Sequence, residues 1–462
     1  MTGCTGYAGY AVVGRLLRAA GAGPEVWIAA GDLAAWSAGL AAAGFRAVAD
    51  PPAGVTLVDG AGLSGPAFRR LVLSLPPEGL LCAVGGEDVR ECGYEVIAAT
   101  GGCVLARGVA VPAPDVAGRA YEEDGAGLLD LRWSPDEVNW PDPDPREVWR
   151  EMTAIAETAR AYALHDPYGG RAGDVLSRCL GWPVEPDHVT FGAGVASLLR
   201  DLVPLADGGT VLVGRYGFAD VPGWVTQARS PVRFFDDGGP GPSWCEELRR
   251  TRPSLVIADR PTQRGVVHPL GELATVLEEA SRLGAIVVLD EANANYLEPG
   301  LSAVRLTGRH RNLVVVRGLS KGYCQGGLRV GYAVASAALT RRVRASVPAL
   351  QTGEPAFQAG LRMLALPDPL GGLRSRIGLM RPRAVRVLTA FGLTPDPGHP
   401  SLPWVTAPSD AVERLAAHGV LAKRLRAGGR SSPDLAKIAV PLSDERAALL
   451  TEALSGERTA TR

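Results

Sequence analysis

Two spacings of apolar residues alternate along this chain. Short unbroken runs, Val26-Trp27-Ile28-Ala29, Val55-Thr56-Leu57-Val58, Leu80-Leu81-Cys82-Ala83-Val84 and Cys103-Val104-Leu105-Ala106, have the length of buried strands. Helical stretches lie between several of them, so residues 1–112 are expected to form a small Rossmann-like α/β domain. Residues 113–145 are rich in Pro, Asp and Glu, as in Pro141-Asp142-Pro143-Asp144-Pro145, and predict a linker and an extended N-terminal arm. A helix is expected over residues 147–164, then a turn at Asp166-Pro167-Tyr168-Gly169-Gly170. Further apolar runs at 211–213, 255–258, 285–289 and 313–316 suit a sheet covered on both faces by helices. They predict a large α/β domain over 146–340. A smaller, mixed domain over 341–462 is expected to carry an edge strand at 435–440.

Composition narrows the class. Apolar residues make up 46% and charged residues 21% of 462, with a formal net charge of −1, so no global field favours nucleic acid or an anionic membrane. The seven cysteines are scattered, without a Cys-x-x-Cys pair or a neighbouring His cluster. That pattern argues for reduced thiols and against a disulfide framework or a metal site. No apolar run reaches about 18 residues, and the start Met-Thr-Gly-Cys-Thr-Gly lacks the basic and apolar regions of a secretory signal. A cytoplasmic protein is expected.

Lysine is scarce. Lys and Arg total 48, yet lysine occurs only as Lys321, Lys423 and Lys437. An amine can lose a proton and attack a carbonyl, which a guanidinium cannot do. Lys321 follows a strand, in Leu313-Val314-Val315-Val316-Arg317-Gly318-Leu319-Ser320-Lys321.

Three other signals fall where α/β sheets hold ligands, at the C-terminal ends of strands. Phe191-Gly192-Ala193-Gly194-Val195-Ala196 leads into a helix, so the amides of Val195 and Ala196 are aimed at an anion. Asp290 follows an apolar run and opens Asp290-Glu291-Ala292-Asn293; a carboxylate there suits a protonated pyridine nitrogen. Arg329 follows Gly326-Gly327-Leu328 and can grip a phosphate bidentately, with Ser320 adding a hydroxyl.

In this order the four resemble the fold-type I pyridoxal-phosphate enzymes, in particular the histidinol-phosphate aminotransferase branch of class I and II aminotransferases. The resemblance rests on Asp290-Glu291-Ala292, Ser320-Lys321 and Gly327-Leu328-Arg329-Val330-Gly331-Tyr332, and covers residues 125–455. It implies a large mixed-sheet domain plus a small α+β domain, a homodimer, and pyridoxal 5'-phosphate joined to Lys321 as a Schiff base. It further implies that Asp290 pairs the ring nitrogen and that Phe218 stacks on the ring. Val195, Ala196, Ser320 and Arg329 would hold the phosphate.

The departures lie on the substrate side. Thr262 stands where the family has the Asn that holds the cofactor's phenolic oxygen, Asn293 stands where it has a Tyr, and Tyr296 is the residue able to compensate. Lys437, in Ala436-Lys437-Ile438, replaces the Arg that binds the substrate carboxylate, and Lys423 also falls where Arg is frequent. The implied activity is therefore aminotransferase-like chemistry on an α-amino acid, in specialised metabolism. Elimination, replacement or decarboxylation, with S-adenosylmethionine as one candidate substrate, is the first alternative. A non-catalytic cofactor-binding regulator is the second, disfavoured by the lack of a basic recognition helix in residues 1–110. The first domain, with Thr2-Gly3-Cys4-Thr5-Gly6-Tyr7-Ala8-Gly9, resembles a degenerate class I methyltransferase domain.

Overall fold

The computed structural model describes residues 129–144, 162–429 and 433–455 throughout. Before and between them it describes Val13, Leu17 and residues 25–30, 33–42, 45–48, 55–59, 80–84, 94–100, 103–108 and 147–148. The chain divides into two compact units, one of Met1–Pro114 with Gly208–Thr210 and Pro222–Arg233, the other of the remainder.

The first unit contains β1 (Glu25–Ala30), β2 (Arg46–Val48), β3 (Val55–Asp59), β4 (Leu80–Val84), β5 (Tyr94–Thr100) and β6 (Cys103–Gly108), in sheet order β2-β1-β3-β4-β6-β5. The first four strands pair in parallel, and β6 runs antiparallel to both β4 and β5. The four apolar runs of the sequence became β1, β3, β4 and β6. Val26, Leu57, Cys82 and Leu105 from them form a core with Trp36 and Leu40 of the helix Leu33–Ala42. Two strands were not among the expected ones: β2 is three residues long and opens with Arg46, while β5 has the run Val96-Ile97-Ala98-Ala99 behind Tyr94-Glu95 and was not singled out. The Gly-rich stretch of residues 2–9, Asp32 and residues 75–79 lie outside the described residues.

The chain, within the second unit except for Val232 and Arg233, continues with β7 (Leu129–Asp130), β8 (Val189–Gly192), β9 (Val211–Gly214), β10 (Val232–Phe235), β11 (Leu255–Asp259), β12 (Ile286–Asp290), β13 (Leu313–Gly318) and β14 (Gly331–Ala335). The last seven of these form one sheet in the order β10-β9-β11-β12-β13-β14-β8. Strands β9, β11, β12 and β13 are parallel, so their C-terminal ends share one edge, and β14 runs antiparallel between β13 and β8. Residues such as Val256, Val287 and Val315 are buried, as expected for strands covered on both faces.

The smaller part of this unit holds β15 (Trp404–Pro408), β16 (Val420–Leu421), β17 (Lys423–Leu425) and β18 (Leu435–Ala439). Here the structure corrects one expectation. Strand β18 is central, not at an edge: its residues pair antiparallel with β15 on one side and with β17 on the other. The expected helix over 147–164 also ends earlier. Glu147 and Val148 are helical, residues 149–161 lie outside the described residues, and Tyr162 to His165 are not helical. The Asp166 carboxylate accepts from the amides of Gly170 (2.7 Å) and Arg171 (3.0 Å), and the following Pro167 disfavours helix at Asp166.

Of the arm, residues 129–144 are described. Strand β7 pairs in parallel with β16. Asp136 accepts from the amides of Leu442 (2.8 Å) and Ser443 (2.7 Å), just ahead of the helix Asp444–Ser455. Its neighbour Glu137 points to a different element, described below.

Candidate active site

The strand ends carry the chemistry. Asp259 and Asp290 terminate β11 and β12 as register partners, and Asp290 lies level with Val316 of β13. Both carboxylates are buried. Burial raises the pKa of Asp290, against the amide of Ala292, which donates to it at 2.8 Å, and the charge of Lys321. Asp259 is raised well above its usual range, first by burial, then by the like charges of Asp290 and Asp237. Lys321 acts electrostatically on Asp290, Asp259, Glu137 and Lys437. The sequence motif's amine and acid therefore share one neighbourhood.

The segment after β13 is clamped. Asn295 donates through Nδ2 to the carbonyls of Gly318 and Lys321, both at 2.8 Å, and accepts from Arg317 at 2.9 Å. Behind it Glu291 receives Arg260 at 2.9 Å and Arg317 at 2.6 Å, all three side chains being buried. Burial alone would raise the Glu291 pKa, but the two guanidinium charges outweigh it and the carboxyl sits below its usual range. Ser302 and the Ala303 amide occupy its remaining lone pairs, which is the satisfaction a buried ion cluster needs.

A cup for an anion lies at the helix Val195–Leu202. Its first amides, those of Val195 and Ala196, have no partner within the helix. Gly194 precedes them at φ 86°, and a Cβ placed there would lie 2.6 Å from Arg329 Nη2. Arg329 also donates to the Ala193 carbonyl at 3.3 Å and the Gly326 carbonyl at 3.2 Å. A Cβ on Gly331 would meet Gly194 at 2.7 Å. Ser320, exposed, lies beside Gly326. Glycine is required here because the guanidinium fills the space a side chain would take.

The remaining sequence candidates are placed as follows. Phe218, 38% exposed, follows β9, and a Cβ on its neighbour Gly217 would lie 3.4 Å from Asp259 Oδ1. Thr262 is buried, and its hydroxyl accepts from the Val266 amide at 3.1 Å within its own turn. Asn293 is buried three residues beyond Asp290. The Tyr296 hydroxyl donates to Glu137, whose oxygens lie 3.0 and 2.9 Å away. Lys437 Nζ donates to Gln263 Oε1 at 2.9 Å and stands 3.9 Å from the Trp404 ring centre. Lys423, its cross-strand partner, stands 4.7 Å from the Trp133 ring centre.

Glu137, Asn295, Gln263 and Asp259 had not been singled out by sequence. Glu137 is the least expected, since the Pro-rich and acidic arm reads as linker. Its carboxyl is pushed up to about 7 by burial, although Tyr296, the Gly322 amide and Lys321 all pull it down.

This donor set fits pyridoxal 5'-phosphate. The Arg329 guanidinium and helix amides suit its phosphate, Asp290 its ring nitrogen and Lys321 its aldehyde; once bound, the ring supplies an electron sink. Among the described residues no group of His, Cys, Asp and Glu is arranged to hold a metal, and no helix is long and apolar enough to cross a membrane. Five cysteines are free thiols among the described residues.

Residues 172–411 match the family "Aminotransferase class I and II". Histidinol-phosphate aminotransferase 2 of Gluconobacter oxydans is 31% identical over 167 residues, 35% of this chain and 46% of the relative. The chain thus spans about half the length of that protein. Histidinol-phosphate aminotransferase 1 of Carboxydothermus hydrogenoformans is 28% identical over 322 residues, 66% of this chain and 87% of the relative. Among solved structures, histidinol-phosphate aminotransferase from Sinorhizobium meliloti in complex with pyridoxal-5'-phosphate superposes with TM-score 0.60 at 20% identity, covering 75% of this chain and 95% of that one. YbdL from Escherichia coli, described with a methionine aminotransferase function, gives TM-score 0.62 at 20% identity over 75% of this chain and 98% of that one. These two likenesses show the fold. The match over residues 172–411, just over half of the chain, shows that the chain belongs to the class I and II aminotransferase family of pyridoxal-phosphate-dependent transferases.

Proposed function

We propose that this protein transfers the amino group of an α-amino acid to a keto acid. The observation that carries this reading is the grouping of Lys321, Asp290 and the Arg329–Gly194 cup at one sheet edge. Lys321 would hold and move the proton at the substrate α carbon, while Asp290 keeps the ring nitrogen charged. Lys437 would meet the substrate carboxylate as a point charge, in place of a bidentate guanidinium. Tyr296 would act on substrate only through Glu137, which takes its hydroxyl. Val195, Ala196, Ser320, Phe218, Thr262 and Asn293 would complete the cofactor's surroundings.

The first unit is proposed to serve packing, as a degenerate methyltransferase-like domain, and a homodimer working in the cytoplasm in specialised metabolism is proposed for the whole. The altered surroundings supplied by Thr262, Asn293 and Lys437 favour a second reading, elimination, replacement or decarboxylation. Incubating the holoenzyme with the twenty amino acids and 2-oxoglutarate separates the two. New glutamate matched by a new keto acid supports transfer; a released amine, ammonia or thiol without glutamate overturns it. Lys321→Ala should abolish covalent attachment of the cofactor, read by mass after borohydride treatment. Attachment elsewhere would remove the basis of the assignment.

A further inference from the structure

We propose that Gln263 is the positioning residue that aims the Lys437 ammonium at the carboxylate of an incoming amino acid, by tying it to Asp259. This rests on the substrate-binding role proposed for Lys437.

The argument begins with the amide. Gln263 Nε2 donates to Asp259 Oδ2 at 2.7 Å, and Gln263 Oε1 accepts from Lys437 Nζ at 2.9 Å. An ammonium can only donate, so Gln263 Oε1 faces Lys437 and Gln263 Nε2 is left to donate to Asp259. The turn carrying Gln263 is held independently, since Trp404 Nε1 donates to the Gln263 carbonyl at 2.9 Å. The same indole presents its face to Lys437 Nζ at 3.9 Å. Gln263 and Trp404 therefore fix two sides of the ammonium, one by a hydrogen bond and one by a cation–π contact.

What is missing around Nζ points to the ligand. Among the described residues no carboxylate lies within ion-pair distance of it; its recorded partners, an amide oxygen and an indole, are neutral. An ammonium has three donors, so donor capacity remains for an anion. The charged groups that face it are Lys321 and Lys423, which repel it, and Asp259 and Glu137, which attract it. Burial and the two lysines depress the Lys437 pKa well below its usual range. A monocarboxylate arriving beside Nζ would supply the counter-charge the protein has kept one amide away. The bridge also explains why Asp259 does not neutralise Lys437 directly: the Gln263 side chain separates them while orienting both.

The test uses the scarcity of lysine. With only three lysines, holoenzyme carrying 13Cε-lysine gives few signals, and Lys437→Met assigns the one of interest. Acetate is the probe and acetamide its neutral control. The expected result is a saturable acetate shift of the Lys437 signal, absent with acetamide. In Gln263→Leu, acetate should bind about tenfold or more weakly and the Lys437 titration midpoint should fall, with cofactor absorbance unchanged. Gln263→Glu, which places a carboxylate beside Nζ, should instead raise the midpoint and abolish the acetate response. Should acetate leave the wild-type Lys437 signal unmoved, the substrate-binding role of Lys437 itself fails. Should acetate bind wild type and Gln263→Leu alike, that role stands and the positioning by Gln263 is overturned.

Discussion

Asp259 and Asp290 end adjacent parallel strands at the same register position, and both side chains are buried. Two such carboxylates cannot both ionise cheaply, and the pKa values of both are raised, Asp259 the further. A raised carboxyl contributes stability that is complete below its unfolded pKa and is lost as pH rises through the folded one. Asp259→Asn should thus be neutral or slightly destabilising in acid. At neutral pH it should stabilise the cofactor-free protein by about 1–3 kcal/mol. Thermal melts of both proteins at several pH values check this; a difference that does not grow with pH would exclude like-charge repulsion as its cause.

The phosphate cup makes a prediction that does not depend on turnover. Gly194→Ala would place a methyl 2.6 Å from Arg329 Nη2 on a backbone at φ 86°. The guanidinium must move, and cofactor affinity should drop about tenfold, roughly 1.4 kcal/mol. Gly181→Ala is the control: it shares a positive φ of 60° but meets nothing within 4 Å. Cofactor titrations followed by absorbance should separate the two. Equal affinities would mean that Arg329 does not hold the phosphate.

How much of this was legible in the sequence depends on distance along the chain. The apolar runs at 211–213, 255–258 and 313–316 became β9, β11 and β13 because a strand buried on both faces has to be apolar at every position. Lys321, Asp290 and Arg329 were legible because each sits at a strand end within its own short motif. Glu137 was not, since its partner Tyr296 is 159 residues away. Gln263 meets Lys437 across 174 residues, and Asn295 reaches the Lys321 carbonyl across 26. Local pattern cannot report such pairings. The central place of β18 escaped for a different reason: its nearby partner β17 has only three residues, Lys423–Leu425, too short to read as a strand.

Glu291 lends itself to a stability test. It is the sole carboxylate recorded on the buried guanidinium groups of Arg260 and Arg317 among the described residues. Removing one partner of a buried ion cluster leaves charge uncompensated, at about 3–5 kcal/mol. Glu291→Ala should lower the urea midpoint accordingly, and Glu291→Gln, which keeps hydrogen-bond acceptance, should lose less. An unchanged midpoint in Glu291→Ala would show that the cluster does not stabilise the strand ends.

Glu137 predicts a pH dependence of the opposite kind to that of a surface carboxylate. Its pKa stands at about 7 against an ordinary 4.5, because burial outweighs Tyr296, the Gly322 amide and Lys321. Since the folded value is raised, the stability tied to its protonated form is complete below 4.5. It declines as pH climbs to about 7 and is gone above that. The shift corresponds to about 3 kcal/mol as an upper bound. Glu137→Gln keeps an acceptor for the Tyr296 hydroxyl and cannot ionise. Relative to the native protein, it should therefore gain stability across that window and then level off. Denaturant unfolding of the cofactor-free proteins at intervals between these two pH values is the measurement. A relative stability that stays level across the window would mean that Glu137 keeps its charge in the fold, held by Lys321 and the Gly322 amide more strongly than burial opposes it.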